Sequence, residues 1–148
     1  YVQKNVGITN DTVKLMDILN GKSNILLKVD IDNAEYSVFN RVNLSNVTCL
    51  LIEMHDVHME HIRERITEIF NEELDKFILF HAHGNNWGGT FTLENFELPK
   101  VMEFSFINKK FVTEYKLDIN KFPLPNIDLP NNPGVAELNH NWINNFVI

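Results

Sequence analysis

A chain of 148 residues is long enough for one domain, and a hydrophobic fraction of 44% is enough to build a sizeable core. The formal net charge of −7 argues against the basic surface that DNA or RNA binding needs, so we expect no nucleic-acid partner. The sequence has a lone cysteine, Cys49, and no apolar run of about 18 residues that would span a bilayer. These features predict a cytoplasmic protein without a membrane segment.

The hydrophobic pattern predicts alternating helices and strands. In chain order we expect a helix over 13–19, a strand over 25–32, a helix over 34–42, a strand over 47–55, a helix over 57–72, and strands over 77–83 and 101–108. Asp11 or Thr12 suits the start of the first helix, Gly21 suits its end, and Asp56 suits the start of the third. The strand over 25–32 begins with uniformly apolar residues, which predicts burial on both faces.

The last predicted strand, 101–108, differs from the others in how it is reached. Phe91, Leu93 and Phe96 indicate a small strand or a packed loop before it, with no helix signal. A parallel neighbour needs a crossover of about a dozen residues, usually a helix, so we expect this strand to run antiparallel to the strand over 77–83. Residues 1–115 then form the α/β domain, and the proline- and asparagine-rich residues 116–148 form an irregular segment packed on it.

Three predicted strands end in acidic or imidazole side chains. Because side chains alternate along a strand, the two polar residues at each end share a face. They are Asp30 and Asp32, Glu53 and His55, and His81 and His83. Ligands of parallel α/β sheets bind outside the carboxyl ends of the strands, so the sequence predicts a chemical site there.

The last residue of each of these strands is best placed to reach a ligand. We predict catalytic roles for Asp32, His55 and His83, since an imidazole can take a proton from a hydroxyl near neutral pH. The carboxylates of Asp30, Asp32 and Glu53 could hold a divalent metal such as Mg or Mn, which leaves a small metal-dependent hydrolase as one alternative. Taken singly, each residue favours a structural role, and Asp32 in particular could cap the helix that starts at Ala34.

The loop over 84–89 is rich in glycine and asparagine. It is either a simple turn or the wall of a pocket, with Trp87 offering a face for a sugar and Asn85 and Asn86 offering hydrogen bonds. It lacks the Lys and Ser/Thr of the nucleotide phosphate loop.

Four blocks of sequence, in order, carry a family resemblance. LLKVDIDNAEYSVFN, LLIEMHD, HAHGNNWGG and PKVMEFSFINK resemble the C-terminal half of the FkbM-type methyltransferases, over roughly residues 13–133. The resemblance implies half of a class I methyltransferase Rossmann-like sandwich, with parallel strands and one antiparallel strand. It also implies transfer of a methyl group from S-adenosylmethionine to a hydroxyl, often on a sugar or a polyketide.

The resemblance assigns residues to an acceptor-side site. Asp30, Asp32 and Glu35 match the first block, Glu53 and His55 the second, and His83, Gly84, Asn85 and Asn86 the third. His55 or His83 is then the candidate base. The carboxylates are candidates for binding a metal or for holding the methyl acceptor. Glu35, Asn85, Asn86 and Trp87 are the expected substrate-binding residues, with a small molecule or saccharide as the acceptor.

The sequence departs from the family before the first helix. Class I methyltransferases hold the cofactor with a glycine-rich turn and a following acid, whereas the residues before the first helix here contain one glycine, Gly7. We therefore expect weak or no binding of S-adenosylmethionine by this chain alone, and a missing N-terminal half or a second chain that completes the sheet. The alternative is a non-catalytic methyltransferase-like module that docks a partner through its open, apolar sheet edge.

Overall fold

The computed structural model describes residues 13–39, 42–116 and 123–139. Its elements are α1 (Leu15–Leu19), β1 (Ile25–Val29), α2 (Glu35–Val38), β2 (Val47–Met54), α3 (Glu60–Glu72), β3 (Phe77–Gly84), β4 (Thr90–Leu93), β5 (Phe96–Pro99) and β6 (Met102–Asn108). A single 3-10 turn over Lys109–Phe111 follows β6. The chain is an α/β protein with a mixed sheet, as the hydrophobic pattern predicted.

The main sheet has the strand order β1-β2-β6-β3, and β4 and β5 form a separate hairpin. β1 and β2 are parallel, whereas β6 runs antiparallel to β2 on one side and to β3 on the other. The carboxyl ends of β1, β2 and β3 therefore lie at the same edge of the sheet. The antiparallel direction of β6 relative to β3 confirms the prediction from loop length.

One face of the sheet forms the hydrophobic core against the helices. Leu50 and Ile52 of β2 and Phe104 and Phe106 of β6 are buried there. Phe70 of α3 meets both phenylalanines edge to face, with ring centroids 5.3 Å apart in each case. Such aromatic contacts add about 0.5–1.5 kcal/mol each beyond the burial of apolar area. They fix α3 across the centre of the sheet.

The opposite face carries polar rows that run across the strands. In one row Glu53 lies beside Glu103, which lies beside His83. In the next row Leu51 lies beside Ser105, which lies beside His81. Residues 123–139, here called the C-terminal segment, contain turns and bends but no helix or strand. They cross this face next to β3, where Asp128 contacts His81 at 2.7 Å.

The first strand is less covered than predicted. Among the described residues, β1 pairs only with β2, so it lies at an edge, and the side chain of Leu26 is 68% exposed. The prediction that this strand is buried on both faces is wrong. It also ends at Val29 rather than at residue 32, because the chain turns there into α2.

Helix limits differ from the predictions at both starts and ends. α2 is a single turn, and residues 40 and 41 of the predicted helix lie outside the described part of the chain. α3 starts at Glu60, because Asp56 has a φ of 53° and so cannot act as the cap; Met59 precedes the helix instead. Gly21 has the positive φ of 68° expected after α1, whereas Asp11 and Thr12 lie outside the described residues.

No helix in the described parts of the chain is long and apolar enough to cross a membrane.

Candidate functional site

His55 is the centre of a group of carboxylates at the carboxyl end of β2. Its Nδ1 lies 3.2 Å from Glu35 Oε1. Its Nε2 lies 3.6 Å from Glu53 Oε1 and 4.0 Å from Asp32 Oδ1. The structure therefore brings together Asp32 and His55, two of the three predicted catalytic residues, and adds Glu35 and Glu53 around the same ring.

A tight turn between β1 and α2 produces this arrangement. Asp32 and Asn33 have φ values of 50° and 75°, in the left-handed region that Asp and Asn tolerate better than other side chains. The Asp32 side chain is 97% exposed at the mouth of the site. Ala34 precedes α2 without a side-chain cap, so Asp32 does not have the capping role that we considered for it.

Two neighbouring residues of α2, Glu35 and Tyr36, contact His55. Glu35 is fully buried, and its Oε1 accepts a hydrogen bond from the Ile31 N–H at 3.1 Å. The Tyr36 hydroxyl donates to the His55 carbonyl oxygen, and burial, more than the nearby carboxylates of Glu35 and Asp56, raises the pKa of Tyr36. The expected contact of Glu35 with a substrate requires an exposed carboxylate, whereas the structure places this one behind the imidazole.

Glu53 links His55 to the glycine-rich loop. Asn85 Nδ2 donates to Glu53 Oε1 at 3.0 Å, and Asn85 Oδ1 accepts from the Trp87 N–H at 2.9 Å. Burial, followed by the charges of Asp30 and Glu103, raises the pKa of Glu53. The loop is therefore attached by hydrogen bonds to the carboxylate that faces the imidazole.

The three residues of the loop that we expected to bind substrate differ in exposure. The side chain of Trp87 is 71% exposed, whereas Asn85 and Asn86 are buried. Asn86 Nδ2 lies 3.0–3.4 Å from the carbonyls of Asn132, Val135 and Ala136, and its Oδ1 accepts from the Asn132 N–H at 2.7 Å. Both asparagines bind other parts of the protein, which leaves Trp87 as the side chain that the loop presents to solvent.

His83 belongs to a second cluster, because β6 lies between β2 and β3. Two strand spacings put it roughly 10 Å from β2. Its Nδ1 lies 3.6 Å from Glu103 Oε2 and its Nε2 lies 3.5 Å from Glu137 Oε1. Burial lowers the pKa of His83, but the hydrogen bond that its ring donates to Glu103 and the charges of Glu137 and Asp128 outweigh burial and raise the pKa above the ordinary value. His83 therefore faces β6 and the C-terminal segment.

The residues predicted to bind a metal have other neighbours. Asp30 pairs with Lys28 at 2.9 Å, and this hydrogen bond raises the pKa of the lysine. Within residues 13–39, 42–116 and 123–139, no group of three or more His, Cys, Asp or Glu side chains is arranged to hold a metal ion. Binding of Mg or Mn by Asp30, Asp32 and Glu53 stays a prediction.

Sequence reasoning missed Glu103 and Glu137, which contact His83. The alternation in 101–108 could have placed Glu103 on the polar face with Ser105, since it separates these residues from Phe104 and Phe106. Glu137 carries no such signal, because it lies in an irregular segment whose path depends on tertiary contacts.

Comparison with known proteins adds no relative. No family model matches the chain, and neither a curated protein nor a solved structure gives a significant match.

Proposed function

We propose that this chain is the acceptor-side portion of an S-adenosylmethionine-dependent O-methyltransferase that acts on a sugar hydroxyl. The strand order supports the proposal: β6 runs antiparallel between the parallel strands β2 and β3, as the resemblance to FkbM-type methyltransferases implies. The observation that carries it is His55, whose two ring nitrogens face a buried carboxylate and the polar rim of the sheet, respectively.

The proposed reaction requires the site to remove a proton from the acceptor hydroxyl. A hydroxyl bound to His55 Nε2 gives its proton to the imidazole as the hydroxyl oxygen becomes a nucleophile. The imidazolium that results lies within 4.0 Å of the carboxylates of Glu35, Glu53 and Asp32, which stabilise its charge. The carboxylate group around His55 therefore favours proton transfer from the acceptor.

The surroundings of His55 suit a polyhydroxylated acceptor. Trp87 presents an exposed aromatic face on a loop tied to Glu53, and Asp32 presents an exposed carboxylate that can accept hydrogen bonds. A recess of about 140 Å³ opens on the same sheet face, lined in part by Lys28, Glu53 and Ser105. An apolar ring face together with hydrogen-bonding groups is what a sugar requires.

The described residues do not fit S-adenosylmethionine, so we derive no step through it. Gly84 and Gly88 pack against neighbouring side chains: a Cβ on Gly84 would lie 2.4 Å from Pro99 Cγ, and one on Gly88 would lie 2.6 Å from Val101 Cγ2. These glycines close the loop onto the protein and leave no open cradle for a cofactor. We therefore propose that residues other than the described ones, or a second chain, supply the cofactor-binding half.

Calorimetric titration of the chain with a panel of neutral methyl glycosides tests the acceptor site. We expect at least one to bind with a Kd of about 1 mM, near −4 kcal/mol, as a single small sugar would. Trp87→Ala and His55→Gln should each weaken that binding at least about tenfold, a loss of about 1.4 kcal/mol.

Phe111→Ala serves as the control, because Phe111 is also an exposed aromatic residue and lies beyond the other end of β6. Its titration should match that of the unchanged chain. An absence of heat with every glycoside, or binding that survives both site substitutions, would contradict the proposal.

A second candidate function is a non-catalytic module that docks a partner through the edge of its sheet. The exposed Leu26 on the edge strand β1 favours it. This function predicts association that depends on concentration, measurable by sedimentation, without binding of glycosides or S-adenosylmethionine.

A further inference from the structure

We propose that Glu35 is a positioning residue that keeps the proton of neutral His55 on Nδ1 and so leaves the lone pair of Nε2 for the acceptor hydroxyl. The inference rests on the proposed function for its consequence, but the tautomer itself is a property of the chain alone. It assigns Glu35 a different role from the substrate contact that the sequence suggests, because the side chain is fully buried.

The buried carboxylate of Glu35 needs compensation for the water that it has lost. Oε1 of Glu35 accepts the Ile31 N–H at 3.1 Å and lies 3.2 Å from His55 Nδ1. Oε2 of Glu35 and Nδ1 of His55 are both buried and neither has a hydrogen-bond partner in the described part of the chain, so the 3.2 Å approach is a close charge contact rather than a formed hydrogen bond. One backbone N–H is little compensation for a buried carboxylate, so a hydrogen on the adjacent ring nitrogen is strongly favoured. An ionised carboxylate can only accept, so a lone pair on Nδ1 would face another lone pair.

The two nitrogens of the His55 ring face carboxylates that differ in distance and exposure. Nε2 also faces carboxylates, but Glu53 Oε1 is 3.6 Å away and already accepts from Asn85. Asp32 Oδ1 is 4.0 Å away on a side chain that is 97% exposed, where water weakens the interaction. The nearer and drier carboxylate, that of Glu35, therefore decides which nitrogen of the neutral ring carries the hydrogen.

As a consequence, the lone pair of His55 Nε2 has a fixed orientation. The Tyr36 hydroxyl donates to the carbonyl oxygen of His55, so α2 holds the residue by its main chain as well as beside its ring. With Nδ1 protonated, Nε2 points its lone pair towards the rim where Asp32 lies. A carboxylate that orients an imidazole in this way also stabilises the imidazolium after proton transfer.

Nitrogen-15 NMR of the imidazole side chains tests the inference on the unchanged protein. At a pH at which His55 is neutral, we expect the chemical shifts of a ring protonated at Nδ1, the opposite of the form that free histidine favours. A ring protonated at Nε2 in the unchanged chain would overturn the proposal without any substitution.

Two matched substitutions then identify the group responsible. Glu35→Gln keeps the volume but offers an amide, so we expect the fraction protonated at Nδ1 to fall at least about twofold. Glu53→Gln removes the carboxylate nearest to Nε2 and should leave the Nδ1 form in place. If Glu35→Gln fails to fold, the spectrum of the unchanged chain still decides.

Failure of this inference and failure of the proposed function are separable. A ring protonated at Nδ1 in a chain that binds no glycoside would contradict the acceptor-site proposal and support the role of Glu35. Glycoside binding by a chain whose His55 is protonated at Nε2 would do the reverse.

Discussion

Asn86 uses both ends of its amide to hold the C-terminal segment against β3. Its side chain is buried, donates towards three carbonyls of residues 132–136 and accepts the Asn132 N–H. Asn86→Ala removes these hydrogen bonds, although the Asn132 carbonyl still accepts the Val135 N–H, and such a loss typically costs about 1–3 kcal/mol of unfolding free energy. We expect that loss in urea denaturation, together with faster hydrogen exchange in 131–137.

Asn71→Ala provides the control for this prediction, since Asn71 lies on the exposed face of α3. Its effect should stay within about 0.5 kcal/mol. Equal stability of the Asn86→Ala and Asn71→Ala proteins would mean that the segment is held by other contacts.

Among single residues, the sequence anticipated that Asp32 and His55 lie close together, because both come after the carboxyl ends of neighbouring parallel strands. It did not anticipate the burial of Glu35. That burial depends on the left-handed conformations of Asp32 and Asn33, which turn the chain within two residues, and on the single turn of α2 that follows. Asp and Asn permit such a turn, but their presence alone does not require it.

At the scale of elements, the contact between β3 and the C-terminal segment should depend on pH. The carboxylates of Glu103 on β6 and of Glu137 and Asp128 on the segment raise the pKa of His83 above the ordinary 6.5, although burial lowers it. A raised folded-state pKa gives stability that is complete below about pH 6.5 and is lost as the pH rises through the raised value. We therefore expect faster hydrogen exchange of 131–139 at pH 8.5 than at pH 6, after correction for intrinsic rates.

His83→Gln should abolish the pH dependence of this hydrogen exchange. His61→Gln, on the exposed face of α3, is the control and should retain the pH dependence. On the acid side, the hydrogen bond with His83 lowers the pKa of Glu103, so its contribution is present above about pH 4.5 and fades as the pH falls through the lowered value. If the protection of residues 131–139 from hydrogen exchange still falls with rising pH in His83→Gln, His83 is not the origin of the pH dependence.

The direction of β6 was predictable and its position was not. The short hairpin-containing connection from β3 excludes a parallel crossover, which fixes the antiparallel direction. Whether β6 then pairs outside β3 or between β2 and β3 depends on contacts distant in sequence, such as those of Phe104 and Phe106 with α3. This insertion is what separates His83 from the group around His55.

In the molecule as a whole, β1 is an edge strand, among the described residues, that exposes a large apolar side chain to a second strand or chain. Leu26 is 68% exposed there, and a single charge on an edge strand opposes such pairing. Leu26→Lys should change the unfolding free energy by no more than about 0.5 kcal/mol while it reduces self-association in sedimentation experiments. Unchanged association at equal protein concentration would exclude β1 as the contact surface.

The proposal that other residues supply the cofactor-binding half leads to a prediction for the chain by itself. The described glycines pack against side chains or lie in isolated turns, so calorimetry with S-adenosylmethionine alone should give no binding heat. Saturable heat from this titration would contradict the assignment of the cofactor-binding half to other residues.

The central claim is that the carboxyl ends of β1 and β2, together with the Trp87 loop, form one acceptor site around His55. The most direct measurement is the amide and side-chain NMR spectrum of the chain during titration with the glycoside that binds best. We predict shifts concentrated at Asp32, His55 and Trp87, with the amino ends of the strands unchanged. Shifts confined to a surface away from these three residues, or none at a saturating concentration, would contradict the claim.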